Sequence, residues 1–169
     1  CGESLMRAQT PTSPASGVVL RETLISTVPN AVVSAGFVWL LFGGQPRIPL
    51  WGMNGLAFDL VPTTFMLTLM TTIALTLLFR KRRSDGALPA SLAEGAPLPV
   101  PHNPVLRGLV LGIVLLALFV PASIAVLAAV WQGDWPFAQV LAFKIAYGIA
   151  VGWVATPIVV LAVLRERAG

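Results

Sequence analysis

Asp59 and Lys144 are the two residues of this chain whose types and placing could do chemistry away from water. Each stands directly after an Ala-Phe pair, Ala57-Phe58 and Ala142-Phe143, and each lies 21 positions before an arginine, Arg80 and Arg165. A carboxylate and an ammonium group at such positions can neutralise one another, or they can handle a proton or a charged solute. Two readings of Lys144 are open. Its four-carbon stem can reach back to headgroup level, or its amine can be buried against a partner, for which Asp59 is the candidate. Lys144, Gly148 and Gly152 share one helix face, which directs the amine toward neighbouring helices.

Hydroxyl and amide groups form two further patterns. Thr23, Thr27, Asn30 and Ser34 recur at three- to four-residue spacing, and Thr64, Thr68, Thr72 and Thr76 at strict four-residue spacing. Such stripes find partners on an adjacent helix or on their own backbone. The simple expectation is that the two stripes meet each other; the sharper one is a polar path for a solute, with Asn30, Ser34, Thr64, Thr68 and Thr72 along it. Gly108 with Gly112, and Gly148 with Gly152, are small-xxx-small faces that favour close helix packing, within the second hairpin or between protomers.

The elements that must position these residues are long apolar helices. The chain has 169 residues, 56% of them hydrophobic and 11% charged, against about 25% charged in an ordinary soluble domain. Leu24–Phe42, Leu60–Phe79 and Gly108–Trp131 hold no charge, and Phe137–Leu164 holds only Lys144. Roughly 20 apolar residues cross a bilayer core, so the expected fold is all-α and polytopic, with four transmembrane helices. The order Val-Leu-Arg, Val-Pro, Trp, Leu-Ala-Phe, Arg occurs over residues 19–80 and again over 105–165. Two helical hairpins repeated in parallel are therefore expected. Residues 1–17 read as a disordered segment, 18–83 as the first hairpin, 84–104 as a Pro-rich cytoplasmic linker and 105–169 as the second hairpin. Trp39, Trp51, Trp131 and Trp135 fall at expected helix ends, as in an aromatic belt.

The net charge of +4 does not point to nucleic acid, because its distribution is that of a topology signal. Nine basic residues (Arg7, Arg21, Arg80, Lys81, Arg82, Arg83, Arg107, Arg165 and Arg167) fall on one side of the spans, and only Arg47 falls in the opposite loops. The positive-inside rule then places both termini in the cytoplasm of a bacterial inner membrane. The single cysteine, Cys1, excludes an internal disulfide, and the single histidine, His102, excludes bis-histidine haem within one chain. No nucleophile with an adjacent base is present, so a non-enzymatic protein without cofactors is expected. Its expected partners are the lipid bilayer and either copies of itself or a larger membrane complex.

The fourth span, with Phe137-Ala138-Gln139, Ala142-Phe143, Gly152-Trp153-Val154-Ala155-Thr156-Pro157 and Leu164-Arg165, resembles the second helix of a small two-helix bacterial inner-membrane family. The resemblance covers residues 108–167. The first hairpin departs from the pattern, having Pro62 early and no late proline in Leu60–Phe79. No activity is assigned to that family, so the resemblance implies a tandem two-helix membrane protein and nothing about chemistry.

Overall fold

A computed structural model describes residues 14–87, 99–130 and 133–166. The described residues form four long helices: α1, Pro14–Phe42; α2, Leu56–Ser84; α3, Pro104–Val130; and α4, Phe137–Leu164. All four are long and apolar enough to cross a membrane. Their surface reverses that of a soluble bundle: Val28, Leu40, Phe58, Leu77, Ile113 and Leu118 are exposed, while Asn30, Ser34, Thr64, Thr68 and Lys144 are buried. Exposed apolar surface of this extent suits contact with lipid or with another apolar face.

α1 begins at Pro14, earlier than the boundary at residue 18 expected from composition, because proline is well suited to the first turn of a helix. Residues 1–13, residues 88–98 of the Pro-rich linker, Trp131 and Arg167 lie outside the described residues. α3 starts where Asn103 Oδ1 accepts from the backbone N–H groups of Val105 (2.9 Å) and Leu106 (3.3 Å), with Pro104 in the first turn. That is side-chain capping of donors that have no intrahelical partner.

α2 starts four residues before the charge-free block, so Asp59 falls in its first turn. The loop before it folds back to make this start. Pro49 and Leu50 carbonyls accept from the N–H groups of Leu56 and Ala57, both at 3.0 Å. Gly55 sits at the point of closest approach: a Cβ there would lie 2.6 Å from the Trp51 carbonyl oxygen and 2.7 Å from that of Leu50. In this loop Arg47–Ile48, β1, pairs antiparallel with Trp135–Pro136, β2, from the loop before α4. Ile48, Leu50, Leu56, Leu60 and Val140 are buried beneath the ladder. The ladder and these side chains close one end of the bundle.

The two helices of each expected hairpin, α1 with α2 and α3 with α4, hardly touch. α1 packs on α4, α4 on α2, and α2 on α3, giving the spatial order α1–α4–α2–α3. The expectation that two polar stripes meet between the first two helices is therefore corrected. The α1 stripe faces α4, and only Asn30 reaches α2, where Thr71 Oγ1 donates to its Oδ1 at 3.1 Å. The reason is steric. Gly148 and Gly152 leave notches on α4 that Ser34 and Asn30 fill, and a Cβ on either glycine would lie 1.8 Å from the Ser34 Oγ or the Asn30 Nδ2. Gly108 and Gly112 likewise admit Leu69 and Phe65 of α2. Both glycine faces thus pack between the two expected hairpins, and not within the second hairpin.

Candidate functional site

Asp59 and Lys144 meet at the α2–α4 contact. Lys144 Nζ donates to Asp59 Oδ2 at 2.6 Å and to Thr63 Oγ1 at 2.7 Å, and Thr63 Oγ1 donates to Asp59 Oδ1 at 3.0 Å. The ring closes with each group in its proper role: Thr63 has one proton, which goes to the carboxylate, and a lone pair, which takes the ammonium. Lys144 is 0% exposed and Asp59 3%. The amine therefore does not reach for headgroups. Asp59 in the first turn of α2 also gains from the positive end of that helix dipole.

Beneath the ring, the threonines of α2 run inward. Thr64 Oγ1 donates to the Leu60 carbonyl at 2.5 Å and lies 2.5 Å from Tyr147 Oη. Since Thr64 has spent its proton, the tyrosine is the donor. Tyr147 stacks on Phe143 and meets Phe119 edge-on. Thr68 and Thr72 are buried, and their hydroxyls have no protein hydrogen-bond partner among the described residues. The same holds for Asn30 Nδ2 and Ser34 Oγ on α1. Thr76 accepts from Arg107 Nη1 at 3.5 Å. From Asp59 to Thr76 is 17 residues, or about 25 Å of helix.

At that far end lies a second charged cluster. Glu166 accepts from Arg80 Nε and Nη2, both at 3.1 Å, and from Arg107 Nη2. Arg107 is 1% exposed and Arg80 39% on its side chain, so the first is held in the bundle and the second faces water. Arg80 also donates to the His102 carbonyl. Burial pushes the Glu166 carboxyl up, but its bonds to Arg80 and Arg107 and their charges outweigh that and hold it below the usual carboxylate range. Arg83 donates to the carbonyls of Val163 (3.1 Å), Leu164 (2.6 Å) and Glu166 (2.8 Å), capping the negative end of α4. Arg82 pairs with Glu22 of α1 at 2.6 Å.

Compared with models of known protein families, with curated proteins and with solved structures, the chain matches none. The geometry alone therefore carries the functional reading.

Sequence reasoning placed Asp59 and Lys144 opposite each other but passed over Thr63, Tyr147, Glu22 and Glu166. Thr63 was within reach, since it follows Asp59 by one four-residue helical step. Arg80, Arg82 and Arg83, read as a topology signal, also bind α1 and α4. Nothing in their spacing shows this, because their partners are 60 to 86 residues away in the chain.

What this arrangement can do chemically is limited. Every buried charge described here has an opposite charge at contact distance. Clefts open elsewhere, in the gaps between helices that scarcely touch. One of about 280 Å³ lies between α1 and α2, lined by Ile25, Val33, Met70 and Leu78 among others. Another of about 380 Å³ lies between α3 and α4, lined by Leu118, Phe119 and Phe143. Neither is walled by Asp59 or Lys144.

Proposed function

We propose that this chain is a multi-pass protein of the bacterial inner membrane with a non-enzymatic role, as an accessory or structural component of a membrane assembly. Both termini lie in the cytoplasm in this reading. One observation carries it: the intramembrane acid and base are spent on each other, within a ring closed by Thr63, and no cleft described here is lined by them. A general acid or base must reach a substrate proton. A buried pair joined in this way serves instead to fix which helices meet. Arg21, Arg80, Lys81, Arg82, Arg83, Arg107 and Arg165 at one end, against Arg47 at the other, support the orientation.

In the same reading the fold arose from a tandem two-helix unit. Exchanging α1 with α3 and α2 with α4 turns the α1–α4 contact into the α3–α2 contact and returns α2–α4 to itself. Asp59 and Lys144, matched in sequence, meet at the contact that maps onto itself. These relations support a pseudo-twofold axis along the membrane normal, passing between the two residues. Affinity purification of the full chain in mild detergent tests the role. A stable larger complex is expected; a lone protomer at native expression level would overturn it.

A second reading has its own observation. Thr68 and Thr72 present unpartnered hydroxyls between the Asp59–Lys144 ring and the Arg107–Glu166 cluster. A small oligomeric transporter or channel would use that line as its polar path. Proton or ion flux in liposomes that Thr68→Val with Thr72→Val abolishes would favour it over the first. A strict monomer by native mass spectrometry would sink it, because four helices leave little room for a path in one chain.

A further inference from the structure

At the basic end, a pocket of about 460 Å³ opens between the first turns of α1 and the last turns of α4. Its walls are Val19 and Leu20 on one side and Pro157 and Leu161 on the other, with Thr23 beside them and Ser16 and Arg165 also lining it. Pro157 helps to make the space, since its ring cannot follow a straight helical ladder. Arg165 is half-buried there, and its guanidinium makes no hydrogen bond or ion pair among the described residues. Its neighbours differ: Arg80 and Arg107 hold Glu166, Arg82 holds Glu22, and Arg83 holds the α4 carbonyls. Among the described residues, Arg80, Arg83, Arg107 and Arg165 thus lie at the end of α4 beside the carboxylate of Glu166, and Arg165 is the member left to recruit an anion.

We infer that this pocket is a seat for one anionic phospholipid of the cytoplasmic leaflet, its phosphate on Arg165 and an acyl chain along Leu161, Val19, Leu20 and Pro157. The inference rests on the proposal that these helices cross a membrane. Order along the axis favours this occupant. Arg165 lies at the end, Leu161 one turn deeper and Pro157 another turn, a span of eight residues or about 12 Å. Charge at the mouth and apolar walls below match a phosphate above a hydrocarbon chain. A guanidinium suits a phosphate through its two parallel donors. A free phosphate would leave the apolar wall uncovered, and an apolar partner helix would leave the guanidinium unpaired.

The full chain, purified in detergent, is titrated with phosphatidylglycerol or phosphatidylcholine and followed by native mass spectrometry. One phosphatidylglycerol is expected to stay bound under conditions that strip phosphatidylcholine. Arg165→Gln is expected to weaken it about tenfold, as for loss of a charge-assisted hydrogen bond, and Arg165→Lys to restore part of the loss. Arg21→Gln, at an exposed arginine of α1 outside the pocket, is expected to change nothing. Leu161→Trp is expected to block the acyl seat while Arg165 remains. Equal loss in Arg21→Gln and Arg165→Gln would overturn the site in favour of diffuse surface attraction. Displacement by inorganic phosphate at equal concentration, or full retention in Leu161→Trp, would overturn the lipid as occupant. Release of the native chain from membranes by alkaline carbonate would instead sink the membrane-spanning proposal itself.

Discussion

Lys144 Nζ lies 2.6 Å from Asp59 Oδ2, joining the middle two helices of the row α1–α4–α2–α3 by a contact between residues 85 positions apart. In a dry interior, removing one partner leaves the other charge uncompensated. Asp59→Leu or Lys144→Met is therefore expected to cost about 3–5 kcal/mol, whereas the Asp59→Leu, Lys144→Met double variant costs much less than the sum. Thermal unfolding in detergent measures both. Strictly additive losses would refute the coupling.

Thr63 both donates to Asp59 and accepts from Lys144. Thr63→Val keeps the shape and removes the hydroxyl. A loss of about 1–3 kcal/mol is expected, because one polar contact of each charged group is left unmade. Thr68→Val, whose hydroxyl has no protein partner, is expected to be neutral or mildly stabilising in the same assay. The contrast between two threonines five residues apart on one helix checks the ring.

Gly148 and Gly152 are fixed by what fills them. Gly148→Ala would place its Cβ 1.8 Å from Ser34 Oγ and 2.9 Å from Ser34 Cβ, so α1 must move away from α4. Overpacking of this kind costs about 1–3 kcal/mol. Gly36→Ala on α1, with open space at the Cβ position, is expected to be tolerated and to gain some helix propensity. Cysteine crosslinking yield between α1 and α4 should fall in the first variant and stay unchanged in the second.

The Glu166 cluster sets a response to acid. Its carboxyl is held below the ordinary value, so the folded state binds fewer protons there than the unfolded chain. The stabilisation is complete above the unfolded value of about 4.3 and is lost as pH falls through the depressed folded value. Glu166→Gln is expected to flatten this acid limb of a stability–pH curve. An unchanged limb in that variant would show that another carboxylate governs it.

Much of the architecture was legible because apolar block length and four-residue periodicity are local properties of the chain. The four helices follow from them, and the matching of Asp59 with Lys144 follows from the repeated Ala-Phe pairs, while the sequence left open whether Lys144 turns inward or reaches for headgroups. Helix partners did not follow. Gly148 and Gly152 announce a close neighbour but carry no label for it, and sequence adjacency favoured α3 where the structure has α1. The pairs Arg80–Glu166 and Arg82–Glu22 were hidden for the same reason, since charges at helix ends read alike whether they face water or a distant carboxylate.

The packing of α1 against α4 sets a problem of timing. Of the four described helices α1 is made first and α4 last; 95 positions separate the end of one from the start of the other. At about 5–20 residues per second, α1 waits roughly 5–20 s before Thr156, Gly152 and Gly148 arrive to meet Ser26, Asn30 and Ser34, with only Thr71 of α2 available to Asn30 in the meantime. During that interval its hydroxyl groups can turn to their own backbone, as Ser26 Oγ does in bonding the Thr23 carbonyl at 2.8 Å. The structure is therefore completed from the last helix backwards, and a chain truncated before α4 leaves its first helix without the surface it was shaped to meet.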